Sequence, residues 1–287
     1  MKGSNTSPRL SIRILSFLKQ RLAAGAVSLR KSRRKNIHGD LAGAPKGMDN
    51  MRKRRYLINK IVALVDSEDA QLEAGSADWY EHSGAMIRML THGDPVTRER
   101  LVRLMALYSQ ANSVGGNTTA AVISMYEIAK GNLSPKAGRF PNKTAPYIKG
   151  ILTAKKFDPS VDGIQDKLMN FYQNLHDATH QVDHFDDAGT IDRWMYRLFG
   201  YGEGEIQGGG AKYRFSLQLL HDITDSYNKK HGTKYLPRQI QAALWFYVKN
   251  QSERQKRGDK FTYSSPLSFS DYLVRATERI TGETIPS

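Results

Sequence analysis

The chain has 287 residues, 39% apolar and 25% charged, which is enough apolar content for a sizeable core and excludes a wholly disordered polypeptide. It has no cysteine, so disulfides, thiolate zinc sites, Cys₄ iron–sulfur clusters and cysteine nucleophiles are excluded; no run approaches about 18 uninterrupted apolar residues, so no helical membrane span is expected. The net charge of +15 is unevenly placed, because residues 1–60 hold 16 Lys and Arg against two acids, Asp40 and Asp49, whereas residues 61–287 hold 27 against 26.

This break divides the chain into a basic, largely flexible arm (1–50) and a nearly neutral globular domain (51–287). In the arm, Leu10, Ile14, Phe17, Leu18 and Leu22 fall on one helical stripe, with Arg13, Lys19 and Arg21 off it or near its edge. Arg30, Lys31, Arg33, Arg34 and Lys35 then form a dense cationic run, followed by a loop-like tract with Gly39, Gly43, Pro45 and Gly47. Blocks of like charge stay solvated and meet polyanions. Nucleic acid is therefore the expected partner, and Arg52, Lys53, Arg54 and Arg55 carry the cationic surface onto the body. The same features suit contact with a membrane surface, an organelle address or a nuclear signal.

From Arg52 onward apolar residues recur at three and four, the helical period. Tyr56 to Val65 gives a first helix, Trp79 to Leu90 a second, and Pro95 opens a third that runs through Tyr108. Further helices are predicted at about 117–130, 144–155, 162–176, 190–199, 211–231, 237–254 and 268–281, separated by clusters such as Gly115-Gly116-Asn117 and Gly131-Asn132. The expected fold is all-α, one domain of eight to ten helices.

Two stretches resemble a known family. Leu107-Tyr108-Ser109-Gln110-Ala111-Asn112-Ser113-Val114, leading through Asn117, looks like the "LSAQ(T/A)TD…N" segment of helix-hairpin-helix DNA glycosylases of the endonuclease III type. Thr190-Ile191-Asp192-Arg193-Trp194-Met195-Tyr196-Arg197-Leu198-Phe199-Gly200 looks like their "VDTHVxRVxxRLG". Lys143 to Ile148 sits where the family has a helix beginning near "KAxxI". The chain also resembles uncharacterised helical domains of phage and large polyvalent proteins, through Leu236 to Tyr247. The glycine-rich hairpin "LPGVGxKTA" is not found; Asp162 to Phe171 stands in its interval, and Lys167 matches the family lysine by position.

The resemblance implies a DNA-binding enzyme that excises flipped, damaged or modified bases. Asp192 would stabilise positive charge on the sugar, and Lys167 would attack its C1′ as an amine. Gln110 would fill the gap left by the extruded base, with Asn112 as a further DNA contact. For Asp192 the structural alternative is an N-cap or an ion pair with Arg193 or Arg197; for Lys167 it is an ordinary surface position. The alternative for the whole chain is a non-catalytic phage virion or DNA-associated protein on the same scaffold. A nucleoid or virion location fits either.

His176, His180 and His184, among Asp177, Asp183, Asp186 and Asp187, have the spacing of four that places histidines on one helical face. They are candidate ligands for a divalent metal; a polar turn leading to Asp192 is the alternative. No other cofactor is expected. Gly208-Gly209-Gly210-Ala211-Lys212 lacks phosphate-loop spacing and reads as a flexible loop. Trp245, Phe246 and Tyr247 suit stacking on bases but, on an apolar helix, read at least in part as core. Lys249, Arg254, Lys256, Arg257 and Lys260 make a basic helix end that suits contact with phosphate, or complementation of the macrodipole alone.

Overall fold

The computed structural model describes residues 50–66, 75–110, 113–153, 165–182, 189–201 and 209–257, together with 272, 276, 278, 280 and 282. The basic arm lies outside these residues, as does most of the segment expected as a helix at 268–281. Among the described residues there are nine α-helices and no strand, in agreement with the all-α reading. None of these helices is long and apolar enough to cross a membrane.

Most of the helices have a local cause. In α1 (Asn50–Val65) Leu57, Ile61, Val62 and Val65 are buried along one face. In α2 (Trp79–Leu90) the buried face is Trp79, Tyr80, Ser83, Gly84 and Ile87. The chain then reverses through His92 and Gly93, at φ 47° and 81°. Helix α3 (Pro95–Tyr108) starts with proline in its first turn, and the Asp94 carboxylate accepts from the Thr97 N–H at 2.9 Å. Both features favour a helix start. From Leu101 to Tyr108 every residue is buried, so this C-terminal part of α3 is enclosed on all sides.

Helix α4 (Val114–Ala129) begins three residues earlier than the apolar period suggests. The Gly115-Gly116-Asn117 cluster reads as a break, yet Ser113 Oγ accepts from the Gly116 N–H at 3.1 Å. That cap offsets the poor helix propensity of the two glycines. A Cβ at Gly115 would collide with the Tyr272 ring. Helix α5 (Pro141–Thr153) also starts early, at a proline, and carries Pro146 inside it. Next come α6 (Gln165–His180), α7 (Arg193–Leu198), α8 (Gly210–His231) and α9 (Pro237–Arg257). Gly209 N-caps α8, so part of the glycine run read as a flexible loop is a helix start. Helix α8 ends on Gly232 in the left-handed region, with Lys229, Lys230 and His231 in its last turn.

Two apolar clusters hold the body together. The first joins α2 to α6, with Ile87, Leu104, Met105, Leu107, Ile148 and Leu175 fully buried. The second joins α1, α7 and α8, through residues such as Ile61, Ile191, Met195, Leu220 and Ile223. Each such Leu or Ile contributes roughly 1.5–3 kcal/mol relative to exposure. Helix α9 serves both: Ala242 and Phe246 join the first cluster, while Ile240, Leu244 and Val248 join the second. Trp245 packs against both, at the seam between them.

Candidate active site

The seam holds a pocket of about 80 Å³, open to solvent on one side. Its aromatic walls are Trp79 and Tyr80 of α2, Phe171 of α6, and Trp245 and Phe246 of α9. Its polar lining comes from Ser109, Ser113, Asn117, Lys167, Thr190, Asp192 and Gln241. Residues of both family-like segments, 107–117 and 190–200, therefore border one space, together with Lys167.

Asp192 stands at the N-cap of α7. Its Oδ1 accepts from the Trp194 and Met195 N–H groups at 2.8 and 3.1 Å. Its Oδ2 accepts from Trp245 Nε1 at 2.8 Å. The residue thus fills the capping role foreseen as its structural alternative, and does so on the wall of a concave pocket. The expected helix at 190–199 is correspondingly short, because the cap delays its start to Arg193.

Lys167 lies in the first turn of α6 and donates from Nζ to the Ser109 carbonyl at 3.1 Å. The residue is half-buried, and its ammonium group lies deep among protein atoms. Burial pushes its pKa down; the Asp192 charge opposes that shift and the Arg193 charge adds to it. Beside it, Asp166 accepts from the Gly210 N–H at 3.3 Å and so links α6 to the start of α8.

A polar network backs the pocket. The Tyr80 hydroxyl donates to Thr190 Oγ1 and contacts Gln241 Oε1, each at 3.2 Å, and Asn174 Nδ2 donates to Thr190 Oγ1 at 3.1 Å. Asn117 Oδ1 is buried with no hydrogen-bond partner among the described residues. An acceptor left so at a pocket wall is positioned to receive a ligand donor. Two residues past Asp192, the Trp194 ring is flanked by Arg197 and Lys249, at 4.4 and 4.6 Å from its centroid.

The other candidates are placed as follows. Gln110 is buried at the end of α3 and does not line the pocket, where Ser109 stands instead. Asn112, and the run Arg30, Lys31, Arg33, Arg34 and Lys35, lie outside the described residues. Arg52 and Arg55 are exposed on α1, Lys53 is half-buried, and Arg54 pairs with Asp222 of α8. His176 and His180 belong to the last turns of α6 rather than to a polar turn, and His184 lies outside the described residues. Of the Trp245-Phe246-Tyr247 trio, Phe246 and Tyr247 are core and Trp245 is the partner of Asp192. Nothing in the sequence assigns Tyr80 or Gln241 a role at the site; Thr190 enters it as the first residue of the second family-like segment, and Trp245 as part of a WFY run that suits stacking as well as core.

No protein-family model matches this chain, and neither a curated protein nor a solved structure matches it.

Proposed function

We propose that this protein binds DNA and excises bases, with Asp192 and Lys167 as the reacting pair. The observation that carries this reading is their presence in one aromatic-walled pocket, which is also bordered by both glycosylase-like segments. A base inside a duplex is out of reach, so the target nucleotide is extruded into the pocket. The pocket volume is about half the roughly 150 Å³ of an apolar cavity that takes up benzene. Entry of a whole base therefore requires the aromatic walls to part. Trp245 and Phe171 then offer faces for stacking, and Asn117 Oδ1 an acceptor for a base amino group.

As the C1′–N bond lengthens, its electron pair leaves with the base and C1′ becomes cationic. The Asp192 carboxylate stabilises that charge. Lys167 enters as a neutral amine, a form favoured by its burial. Its Nζ bonds to C1′ as the glycosidic bond breaks, the nitrogen's proton passes to the departing base or to water, and ring opening gives an iminium between Nζ and C1′. Water hydrolyses the iminium, or loss of the C2′ proton expels the 3′ phosphate.

A second reading is favoured by the structural engagement of Asp192, whose two oxygens already serve the α7 cap and Trp245. On that reading the protein is a non-catalytic DNA-associated or phage virion protein on the same scaffold. Wild type and Asp192→Asn are to be incubated with duplexes carrying damaged and modified bases, and strand breaks scored after alkali. Cleavage lost in the variant supports excision by Asp192. No cleavage on any duplex supports the second reading, and cleavage that survives in the variant removes Asp192 from the chemistry.

A further inference from the structure

At the end of the α3–α6 pair remote from the pocket, two imidazoles and a carboxylate converge. His176 and His180 are one turn apart on α6, with ring centroids separated by 4.4 Å. Glu99 approaches from α3. Its Oε2 lies 3.8 Å from His176 Nε2 and 3.6 Å from His180 Nε2, and the three groups offer ligand atoms all within 4.8 Å of one another. These separations are too long for hydrogen bonds. They are close to the about 3.3 Å between two ligand atoms on a tetrahedral ion with bonds of about 2.0–2.1 Å.

Glu99 Oε2 and His180 Nε2 are both buried without a hydrogen-bond partner. Leaving two such atoms unsatisfied face to face is costly, and one cation between them satisfies both. The surroundings already orient the set. Glu99 Oε1 accepts from Arg103 Nε and from the Tyr172 hydroxyl, both at 2.6 Å, which leaves Oε2 turned to the gap. His176 Nδ1 faces the fully buried Asp177 carboxylate at 3.2 Å. That is the outer partner which directs the opposite ring nitrogen toward a metal. The three ligand side chains remain 22–25% exposed, which leaves access for an ion and room for a water.

We propose that Glu99, His176 and His180 bind one first-row divalent ion, Zn²⁺ foremost, through Glu99 Oε2 and the two Nε2 atoms. Two imidazoles with one carboxylate suit such ions, whereas Ca²⁺ and Mg²⁺ take all-oxygen sets. The ion takes no part in the pocket chemistry, because Lys167 and His176 are nine residues apart on α6, about 14 Å along the axis. It fastens α3 to α6, the helices that supply Ser109 and Lys167. The proposal stands whether or not the pocket excises bases.

The test is to strip the full-length protein with a chelator and titrate it with Co²⁺, following the visible absorption bands of the bound ion. One equivalent is expected to saturate the bands, and Zn²⁺ to displace it. His180→Ala and Glu99→Gln each weaken binding by about tenfold or more, while His82→Ala, at an exposed position, leaves it unchanged. Glu99→Gln keeps the size of the side chain and an oxygen for Arg103 and Tyr172, so it carries the test if His180→Ala does not fold. A wild-type protein without saturable Co²⁺ bands, or equal affinity in wild type and Glu99→Gln, would overturn the proposal.

Discussion

Trp245 Nε1 donates to Asp192 Oδ2 at 2.8 Å, while Oδ1 of the same carboxylate caps α7. One side chain thus starts a helix and ties it to α9 at the pocket wall. Asparagine has a single acceptor oxygen for these two duties, so Asp192→Asn leaves one donor unsatisfied, at a cost of about 1–3 kcal/mol. Trp245→Phe removes that donor, so the double variant is expected to lose less than the sum of the single losses. Urea denaturation of the four proteins measures the difference. Strictly additive losses would show that the bond does not contribute to stability.

Gly84 sits where α2 crosses α6, and a Cβ there would run into the Ala178 carbonyl. Arg88, one turn on, donates to the Ala178 and Thr179 carbonyls at 2.7 and 3.1 Å and fixes the crossing from the side. Gly84→Ala has to push the helices apart and is expected to cost about 1–3 kcal/mol or more. Thermal melting followed by circular dichroism checks it. An unchanged melting temperature would mean that the crossing is looser than described.

Burial raises the Tyr80 hydroxyl to about 12, with hydrogen bonding to Thr190 opposing part of the shift. For an acid whose pKa is raised by folding, the stability is fully present below the unfolded value near 10 and lost as pH rises toward the folded one. Stability is therefore expected to fall between about pH 10 and pH 12. The fall should be shallower in Tyr80→Phe, although Tyr196 and Tyr213, also raised by burial, still contribute. Denaturant midpoints across that range give the slope. A slope that does not change on losing Tyr80 would place its hydroxyl in contact with solvent.

Much of the fold is legible in the sequence, because burial on one helical face leaves apolar residues three and four apart. The start of α3 is legible too, since Asp94 and Pro95 are adjacent in the chain and act locally. The start of α4 is not: a glycine pair argues for a break, and only the cap and the Tyr272 ring against Gly115 explain why the helix includes it. The site is legible as two segments and a lysine, but not as a pocket, because Trp245 comes from a distant helix. The metal candidates show the same division. A spacing of four finds His176 and His180 on one helix and points on to His184, whereas Glu99 comes from α3 and is brought near only by packing.

Residues 1–50 hold 11 Lys and Arg against two acids and so supply nine of the 15 net charges. A chain beginning at residue 51 is expected to lose most of its affinity for DNA and to show a flatter dependence of log K on log salt, because fewer counterions are released. Filter binding at several salt concentrations, beside flotation with anionic liposomes, checks both points. Equal affinity and equal slope for the two proteins would move DNA binding onto the body.

The most direct test of base excision at this pocket is to trap the intermediate. Wild type, Lys167→Gln and Asp192→Asn are incubated with abasic and modified-base duplexes in borohydride, and the cross-linked residue is mapped by mass spectrometry. The expected adduct is on Lys167, absent from Lys167→Gln and formed from modified-base duplex only when Asp192 is intact. Its yield is expected to rise with pH below the usual lysine range, since burial lowers the Lys167 pKa. An adduct confined to arm lysines such as Lys31 and Lys35, or one that persists in Lys167→Gln, would contradict the assignment of this pocket.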